Sequence, residues 1–448
     1  MISRKWIISM LGTYACAIMY AQRTGMSVAI VRMVNSTISS SNHTSVSRAP
    51  KFNWNETVQG LILGSTFFFY WIIPTLVGSV TNRFGGKRLA FVGIFFPCIL
   101  TALIPTAAKT DANLFILVQS LNGLFQGFIY PSLFHLYVKW FEPDERSKAN
   151  SGIQFGQSIG GALMSLIGGY LCETVTGWPL LYYFMSLVHI PWIILWVWLA
   201  SDQPTLKAKI NNSNSKVSKN FSDFSSPNQS IRSKTPWLSI FTSSAVWASI
   251  LSKISCSYGF YMMLSKLPAY LDSVHSIDIV QNGTINGAIL MSYGISCLIA
   301  PYLSVFLLKR TNLQLWTVRK IFQGIAMLAP AICLASITFT SDNVILSITL
   351  LIVAMFGYGF FTAGEWTMIS EYAPNNVGTV SGAAHILGLI MGFLAPYIVG
   401  IILDSNLGDL QFKWNLNFYI TSVLYLLGYL AFLILGTVRQ QQWDFDSK

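Results

Sequence analysis

The chain has 448 residues, 53% of them hydrophobic and only 10% charged, with a formal net charge of +11 and a mean hydropathy of +0.53. A soluble domain carries about 25% charged residues, so this chain lacks the polar groups to cover a water-facing surface and reads as an integral membrane protein. The basic excess does not point to nucleic acid, because Lys and Arg fall in short loops beside apolar runs, as the positive-inside rule requires.

A helix needs roughly 20 mostly apolar residues to cross a hydrocarbon core of ~30 Å. That ruler predicts twelve spans: 6–31, 58–80, 89–108, 112–138, 149–172 and 178–200, then 240–264, 284–308, 320–340, 343–369, 377–403 and 417–438. The first run contains Arg23 and is too long for a cleavable signal peptide, so the start reads as a span behind a five-residue leader. The loop 32–57 holds glycosylation sequons at Asn35, Asn42 and Asn55, and a fourth, Asn282, is expected in the loop after span 7. The segment 202–236 is rich in Ser, Asn and Lys and is expected to be a flexible linker. The predicted organisation is a six-helix bundle (1–201), this linker, a second six-helix bundle (237–438) and a tail (439–448). Lys and Arg place both termini and the linker in the cytoplasm and the sequons on the opposite side, so two independent signals agree.

The loop after span 2 reads GSVTNRFGGKR. Gly78 permits close helix approach, Gly85 and Gly86 make a tight turn, and Arg83, Lys87 and Arg88 hold the cytoplasmic face. It resembles the signature loop of the major facilitator superfamily, G-x-x-x-D-R-x-G-R-R, with Asn82 in place of the usual acid. Four further stretches are similar to its anion/cation symporter branch, which holds the sialin-, vesicular glutamate transporter- and sodium-phosphate cotransporter-like proteins. They are RTGMSVAIVRMVNST in span 1, GFIYPSLFHLYVKWFEPDERSKAN at the span 4 exit, YGFYMMLSKLPAYL in span 7 and TVRKIF before span 9. They touch both halves, so the resemblance covers nearly the whole chain.

The resemblance implies an all-α membrane fold of two six-helix bundles and an anion grip at Arg23, the branch's span 1 arginine. A guanidinium suits a carboxylate or phosphate because its fork donates two parallel hydrogen bonds. An ionisable group inside a span is a functional candidate by default; the bland alternative is snorkelling to the outer interface. The resemblance further implies span 4 acids where this chain has Asn122 and Gln126, amides that can bind substrate but carry no proton. It also implies a span 7 arginine where glutamate-type members have one, here Cys256. Tyr130 and Tyr261 lie within matching stretches and are candidate substrate contacts. Glu365 is the one carboxylate expected inside a span. A carboxyl in apolar surroundings can exchange protons near neutrality, which makes it the candidate proton carrier; its alternative is a hydrated position near the cytoplasm, paired with Lys253 or Arg319.

His135, His189 and His385 read as helix-packing or hydrogen-bonding groups before proton relays, and Lys253 as equally a cavity or a snorkelling group. The six cysteines lack paired spacing and read as packing residues, without a disulfide framework or metal site. No cofactor is expected, only transported H+ or Na+, and no enzymatic motif appears. The expectation is therefore a monomeric secondary transporter of a small anion (sialic acid, glutamate, urate or phosphate-like), in the plasma membrane or an endolysosomal or vesicular membrane. The alternatives are an uncoupled facilitator or exchanger on the same fold, a transport-inactive ligand-sensing receptor, and a cation or drug exporter. The last is disfavoured by the basic residues Arg23 and Lys253.

Overall fold

The structure, a computed structural model, describes residues 4–34, 47–73, 83–202, 237–340 and 343–445. The first half comprises α1 (Arg4–Met33), α2 (Glu56–Ser65), α3 (Gly86–Thr110), α4 (Ala112–Gln126), α5 (Ile129–Trp140), α6 (Pro143–Glu173) and α7 (Trp178–Leu199). The second comprises α8 (Trp237–Thr242), α9 (Ser244–His275), α10 (Ile279–Arg310), α11 (Leu315–Ile337), α12 (Val344–Tyr358), α13 (Glu365–Tyr372), α14 (Val377–Asp404), α15 (Leu410–Leu435) and the short α16 (Gln442–Phe445). Among the described residues, eight segments are long and apolar enough to cross a membrane; α4 joins α5 and α12 joins α13 in that reckoning. Helices α1, α6 and α9, with 30, 31 and 32 residues, are long enough but not apolar enough. They carry Arg23, Gln157 and Lys253, and all three pack at the junction of the two halves.

The fourth span of each half is interrupted. Residues 127 and 128 form a turn between α4 and α5, and a 3-10 segment, Gly359–Ala363, precedes a break at Gly364 before α13. Broken spans place polar side chains at mid-depth, where unwound backbone is tolerated only inside protein or beside a cavity.

Within the first half α1 packs on α6 and α7, and α3 on α4 and α7; within the second α9 packs on α14 and α15, and α11 on α12 and α15. The halves meet along α2–α14, α6–α10 and α1–α9. Glycines permit this approach: a Cβ on Gly283 would strike the Ser165 carbonyl, and one on Gly64 would lie 2.9 Å from the Phe393 carbonyl oxygen. These contacts are not distributed evenly along α14. Gly400 and Gly392 press on Glu56 and Phe67 of the first half, whereas Gly378 and Gly382 face open space. Among the described residues the halves are thus joined at the end carrying residues 47–57 (the loop end), while such contacts lapse on α14 toward the end carrying Arg4 and Lys87 (the terminal end).

At the loop end the halves also exchange charges. Lys266 Nζ, fully buried on α9, donates to Glu56 Oε2 on α2 at 2.7 Å. Asp404, closing α14, accepts the backbone N–H groups of Glu56 and Thr57 at 2.9 and 2.7 Å. It thereby satisfies orphan donors at the start of α2 from the opposite half.

Three sequence expectations change here. Span 7 runs on to His275, because Lys266 is neutralised by Glu56 instead of ending the span. Span 8 begins at Ile279, where the Asp278 carboxylate caps the Val280 and Gln281 N–H groups. Asn282 therefore lies in that helix and not in a loop; it is fully buried and donates to the Pro268 carbonyl, so no glycan can be attached to it in this fold. Residues 439–445 are no free tail: Gln441 N–H donates to the Tyr372 carbonyl, and Asp444 accepts the N–H groups of Asn375 and Asn376.

Candidate functional site at the junction of the two halves

Arg23 lies two-thirds of the way along α1 and is 7% exposed. Its guanidinium carbon sits 4.9 Å from the Tyr20 ring, 4.7 Å from Phe67 and 4.9 Å from Tyr70. Tyr20 is one helical turn earlier on the same face, while Phe67 and Tyr70 come from the turn-rich stretch after α2. Desolvated cation–π contacts contribute about 0.5–2 kcal/mol each, enough to hold the side chain in place without neutralising it. No carboxylate pairs with Arg23 among the described residues, and its Nε and Nη2 atoms have no hydrogen-bond partner there. Snorkelling is thus replaced by an aromatic cage.

The cage crosses the junction. Phe67 meets Tyr261 of α9 edge-on at 4.6 Å, and Tyr20 approaches Phe260 at 6.4 Å. Phe260 continues the aromatic wall to Tyr293 and Tyr358 at 5.3 and 5.2 Å. Tyr261 lies against the guanidinium, and Tyr130 is among its electrostatic neighbours. Gln157 Nε2 donates to the Tyr130 hydroxyl at 2.5 Å, orienting it. Arg23, Tyr130 and Tyr261, named from the sequence, do share one site. Tyr20 and Phe67 were missed; the one-turn spacing to Arg23 marks Tyr20, whereas nothing local distinguishes Phe67 in TFFFYW.

Asn122 and Gln126 are not part of that cage. Asn122 Nδ2 donates to Thr101 Oγ1 and Gln119 Oε1, both at 3.2 Å, and Gln126 Nε2 donates to Gln22 Oε1. Gln22 Nε2 in turn reaches Thr101 and His189 Nε2. His189 Nδ1 lies 2.7 Å from the Met185 carbonyl, so Nδ1 carries the proton and Nε2 accepts. All six residues are buried within the first half. Their amide donors are consumed inside this network, which corrects the expectation of substrate contacts: the face of the helix, invisible in residue type, decides it. Nearly complete mutual satisfaction is how a buried polar network rigidifies a bundle.

The second half presents a different cluster. Lys253 Nζ lies over the faces of Trp366 and Phe361, 4.6 and 5.1 Å from the ring centres. Glu365 opens α13, 3% exposed, and its N–H donates to Gln323 Oε1 at 2.9 Å. Gln323 Nε2 donates to Ser252 Oγ at 2.8 Å and also reaches Cys256 Sγ. His385 of α14 meets Trp366 edge-on at 6.3 Å. Lys253 is the charge neighbour of Glu365, without a direct ion pair. Arg319 does not pair with Glu365: it donates from Nε and Nη2 to Glu371 Oε1 at 2.9 and 2.5 Å, and from Nη1 to Ser304 and the Ala363 carbonyl. Glu371, which the sequence places just after span 10, is thus a second carboxylate on the helix that continues it.

Of the loop residues, Gly78 and Asn82 lie outside the described residues, as do the sequons Asn35 and Asn42. Gly85 has φ +82, a left-handed backbone that favours glycine. The Asp202 carboxylate accepts the Lys87 N–H at 2.8 Å, Lys87 Nζ donates to the Val197 carbonyl at 3.0 Å, and Arg83 lies 5.6 Å from the Phe84 ring. Arg88 is exposed. An acid from the end of the first half thus anchors the start of α3. Asn55 is exposed and caps α2 through Val58 N–H, leaving its amide nitrogen accessible.

The sequence profile of the Major Facilitator Superfamily matches residues 12–396. The chain is 28% identical to human sialin over 462 residues, covering 99% of this chain and 92% of that protein. It is 29% identical to vesicular glutamate transporter 3 of Danio rerio over 448 residues, covering 98% and 74%. Among solved structures, a D-xylose-proton symporter superposes with a TM-score of 0.73 at 15% identity, covering 98% of this chain and all of that one. A bacterial homologue of the human lysosomal transporter Spinster, in an inward-facing and unoccupied conformation, gives 0.71 at 15% identity, covering 99% and 100%. The chain is a multi-pass membrane transporter, not an enzyme, and it belongs to the major facilitator superfamily.

Proposed function

We propose that this transporter moves a small anion by alternating access, with Arg23 as the group that grips it. The observation that carries this reading is the caged, buried guanidinium with two nitrogen atoms that have no partner among the described residues. A buried charge without an anionic partner is strongly unfavourable, so a site that keeps one is suited to a ligand that supplies the partner. The printed names of relatives fit: besides sialin and the glutamate transporter, they include a probable small intestine urate exporter of Homo sapiens and a sodium-dependent phosphate transport protein of Mus musculus.

On this reading the terminal end faces the cytosol, as the positive-inside pattern suggests, so this conformer opens inward and is closed at its glycosylated outer side. Glu365 is the proton carrier of the cycle, taking the role the span 4 amides cannot fill. The exposed Asn55 carries glycan with Asn35 and Asn42. The protein works as a monomer, in the plasma membrane or an endolysosomal or vesicular membrane. The uncoupled facilitator is kept as a second reading because Asn122 and Gln126 lie bonded to one another's network and titrate nothing.

The test is uptake into proteoliposomes of sialic acid, glutamate, urate and phosphate, each under imposed pH, sodium and voltage gradients. Arg23→Ala should reduce uptake of whichever anion is carried to background. Transport that survives this substitution removes the grip role, and transport indifferent to every gradient selects the facilitator.

A further inference from the structure

Away from the central site, the outer side of α10 carries a groove of about 420 Å³, lined by Leu298, Ile299, Tyr302, Leu303 and Phe306. These residues recur at three- and four-residue steps, so they form one stripe of the helix. The stripe faces away from the protein. Tyr302 is 76% and Phe306 56% exposed, whereas Ala300 and Ser304 on the opposite face are buried, Ser304 accepting from Arg319.

The stripe ends on charge. Lys309 and Arg310, in the last turn of α10, follow Phe306 by three and four residues and are exposed. Neither enters an ion pair among the described residues. The positive-inside rule and the helix dipole explain cations at this helix end, but neither requires an apolar groove running up to them. We propose that the stripe is a binding site for one anionic glycerophospholipid of the leaflet at the terminal end. Its phosphate sits on Lys309 and Arg310, and one acyl chain lies in the groove.

Length, chemistry and charge favour this occupant. At ~1.5 Å per residue, Leu298 lies about 18 Å from Arg310 along the helix axis, close to the ~15 Å depth of one leaflet. The aliphatic and aromatic lining suits an acyl chain. Above it, the Arg310 fork can donate two parallel hydrogen bonds to a phosphate, and Lys309 adds a point charge. A zwitterionic lipid would bring its own cation to this pair, so a net negative headgroup is preferred. A sterol has no charge to offer, and a second copy packed symmetrically on this stripe would bring like charges together.

The position matters for the fold as well. Gly294, the last glycine of α10, presses on Ser158 of α6 in the first half, and the groove begins one turn further, at Leu298. The bound lipid therefore lies along the seam between the halves.

Native mass spectrometry of the purified full-length protein tests this, from micelles supplied with equal palmitoyl-oleoyl phosphatidylserine and phosphatidylcholine. Wild type should retain phosphatidylserine over phosphatidylcholine by about fivefold or more, as expected for a headgroup held by two cations. Lys309→Gln with Arg310→Gln should erase the preference, and the exchanged pair Lys309→Arg with Arg310→Lys should keep it. Tyr302→Ala with Phe306→Ala should lower retention of phosphatidylserine by about threefold or more, through lost apolar contact. Arg4→Gln with Arg439→Gln removes as much charge from exposed residues at the same end and should leave the preference unchanged. Excess soluble glycerophosphoserine should not displace the lipid.

A wild type without preference, or a preference that survives Lys309→Gln with Arg310→Gln, overturns the proposal. Equal loss in the Arg4 and Arg439 variant means attraction to bulk charge alone, and displacement by glycerophosphoserine makes the groove irrelevant; either overturns it too. Cholesterol retained in the lipid's place, or a dimer lost with Tyr302→Ala and Phe306→Ala, gives the groove to another occupant and has the same force. Size-exclusion profiles confirm that each variant folds. Should the aromatic pair fail to fold, the charge pair and the soluble headgroup decide.

Discussion

Two acid–base pairs lie close together in the second half and behave differently. Arg319 and Glu371 share two direct hydrogen bonds, and the remaining guanidinium donor is spent on Ser304 and the Ala363 carbonyl. Lys253 and Glu365 are charge neighbours without an ion pair, each buried, with the ammonium lying on aromatic rings. The first pair is closed, so it ties α11 to α13, with Glu371 Oε2 the atom of the pair that keeps no partner among the described residues. The second is open, so either member can change partner. The same contrast divides the first half, where Gln22, Asn122 and Gln126 bond one another while the next residue after Gln22, Arg23, keeps two nitrogen atoms without partners among the described residues.

The comparison breaks most severely at the closed pair. Glu371→Ala leaves the Arg319 charge buried and alone, a loss of about 3–5 kcal/mol. It should lower the melting temperature in detergent and the yield of monodisperse protein, whereas Glu365→Gln should leave both near wild type. Equal melting of the two variants would erase the distinction between tether and switch.

A smaller effect is expected where a pair spans the halves. Glu56→Gln strands Lys266 only in the conformer closed at the loop end, a loss of about 2 kcal/mol there. The equilibrium should shift toward loop-end opening. A cysteine at Phe393, which packs against Gly64 and Phe68 in this conformer, should then be labelled faster by a thiol reagent. Unchanged labelling would mean that Glu56 and Lys266 do not hold the closed end.

The smallest effect belongs to Asp444, outside the spans. Burial alone would raise its carboxyl, but hydrogen bonds from Asn376, Gln440 and Asn375 outweigh that and hold it below the usual carboxylate range. A depressed acid contributes stability that is present above its ordinary value and lost as pH falls through the lowered one. Docking of residues 439–445 should therefore be complete at neutral pH and loosen only in strong acid. Asp444→Asn should loosen it at neutral pH by about 1 kcal/mol, read as faster amide exchange at Asn375 and Asn376. Exchange that ignores both acid and the substitution would contradict the anchoring role.

How much of this was legible beforehand differs by residue. Arg23 stood out because a charge in an apolar run has no bland explanation except snorkelling. Asn122 and Gln126 misled because an amide in a span is consistent with either a cavity or a packed face, and residue type does not tell which. Asn282 misled because a sequon is a local pattern, while burial at the start of α10 is set by Asp278 and by packing on Pro268. Glu371 reads from the sequence as an acid just beyond span 10, and its tethering role needs a partner fifty-two residues away on α11.

The sequence alone determined that the chain spans the membrane, in two groups of six apolar runs, and that Arg23 is its anomalous charge. Hydrophobic length and charge placement are local quantities, and the bilayer reads them locally. The tertiary structure alone decided which buried charges are already bonded and which remain open, and at which end the halves are locked. Those depend on helix faces and on partners hundreds of residues apart, such as Glu56 with Lys266 and Asp404, and no local pattern encodes them.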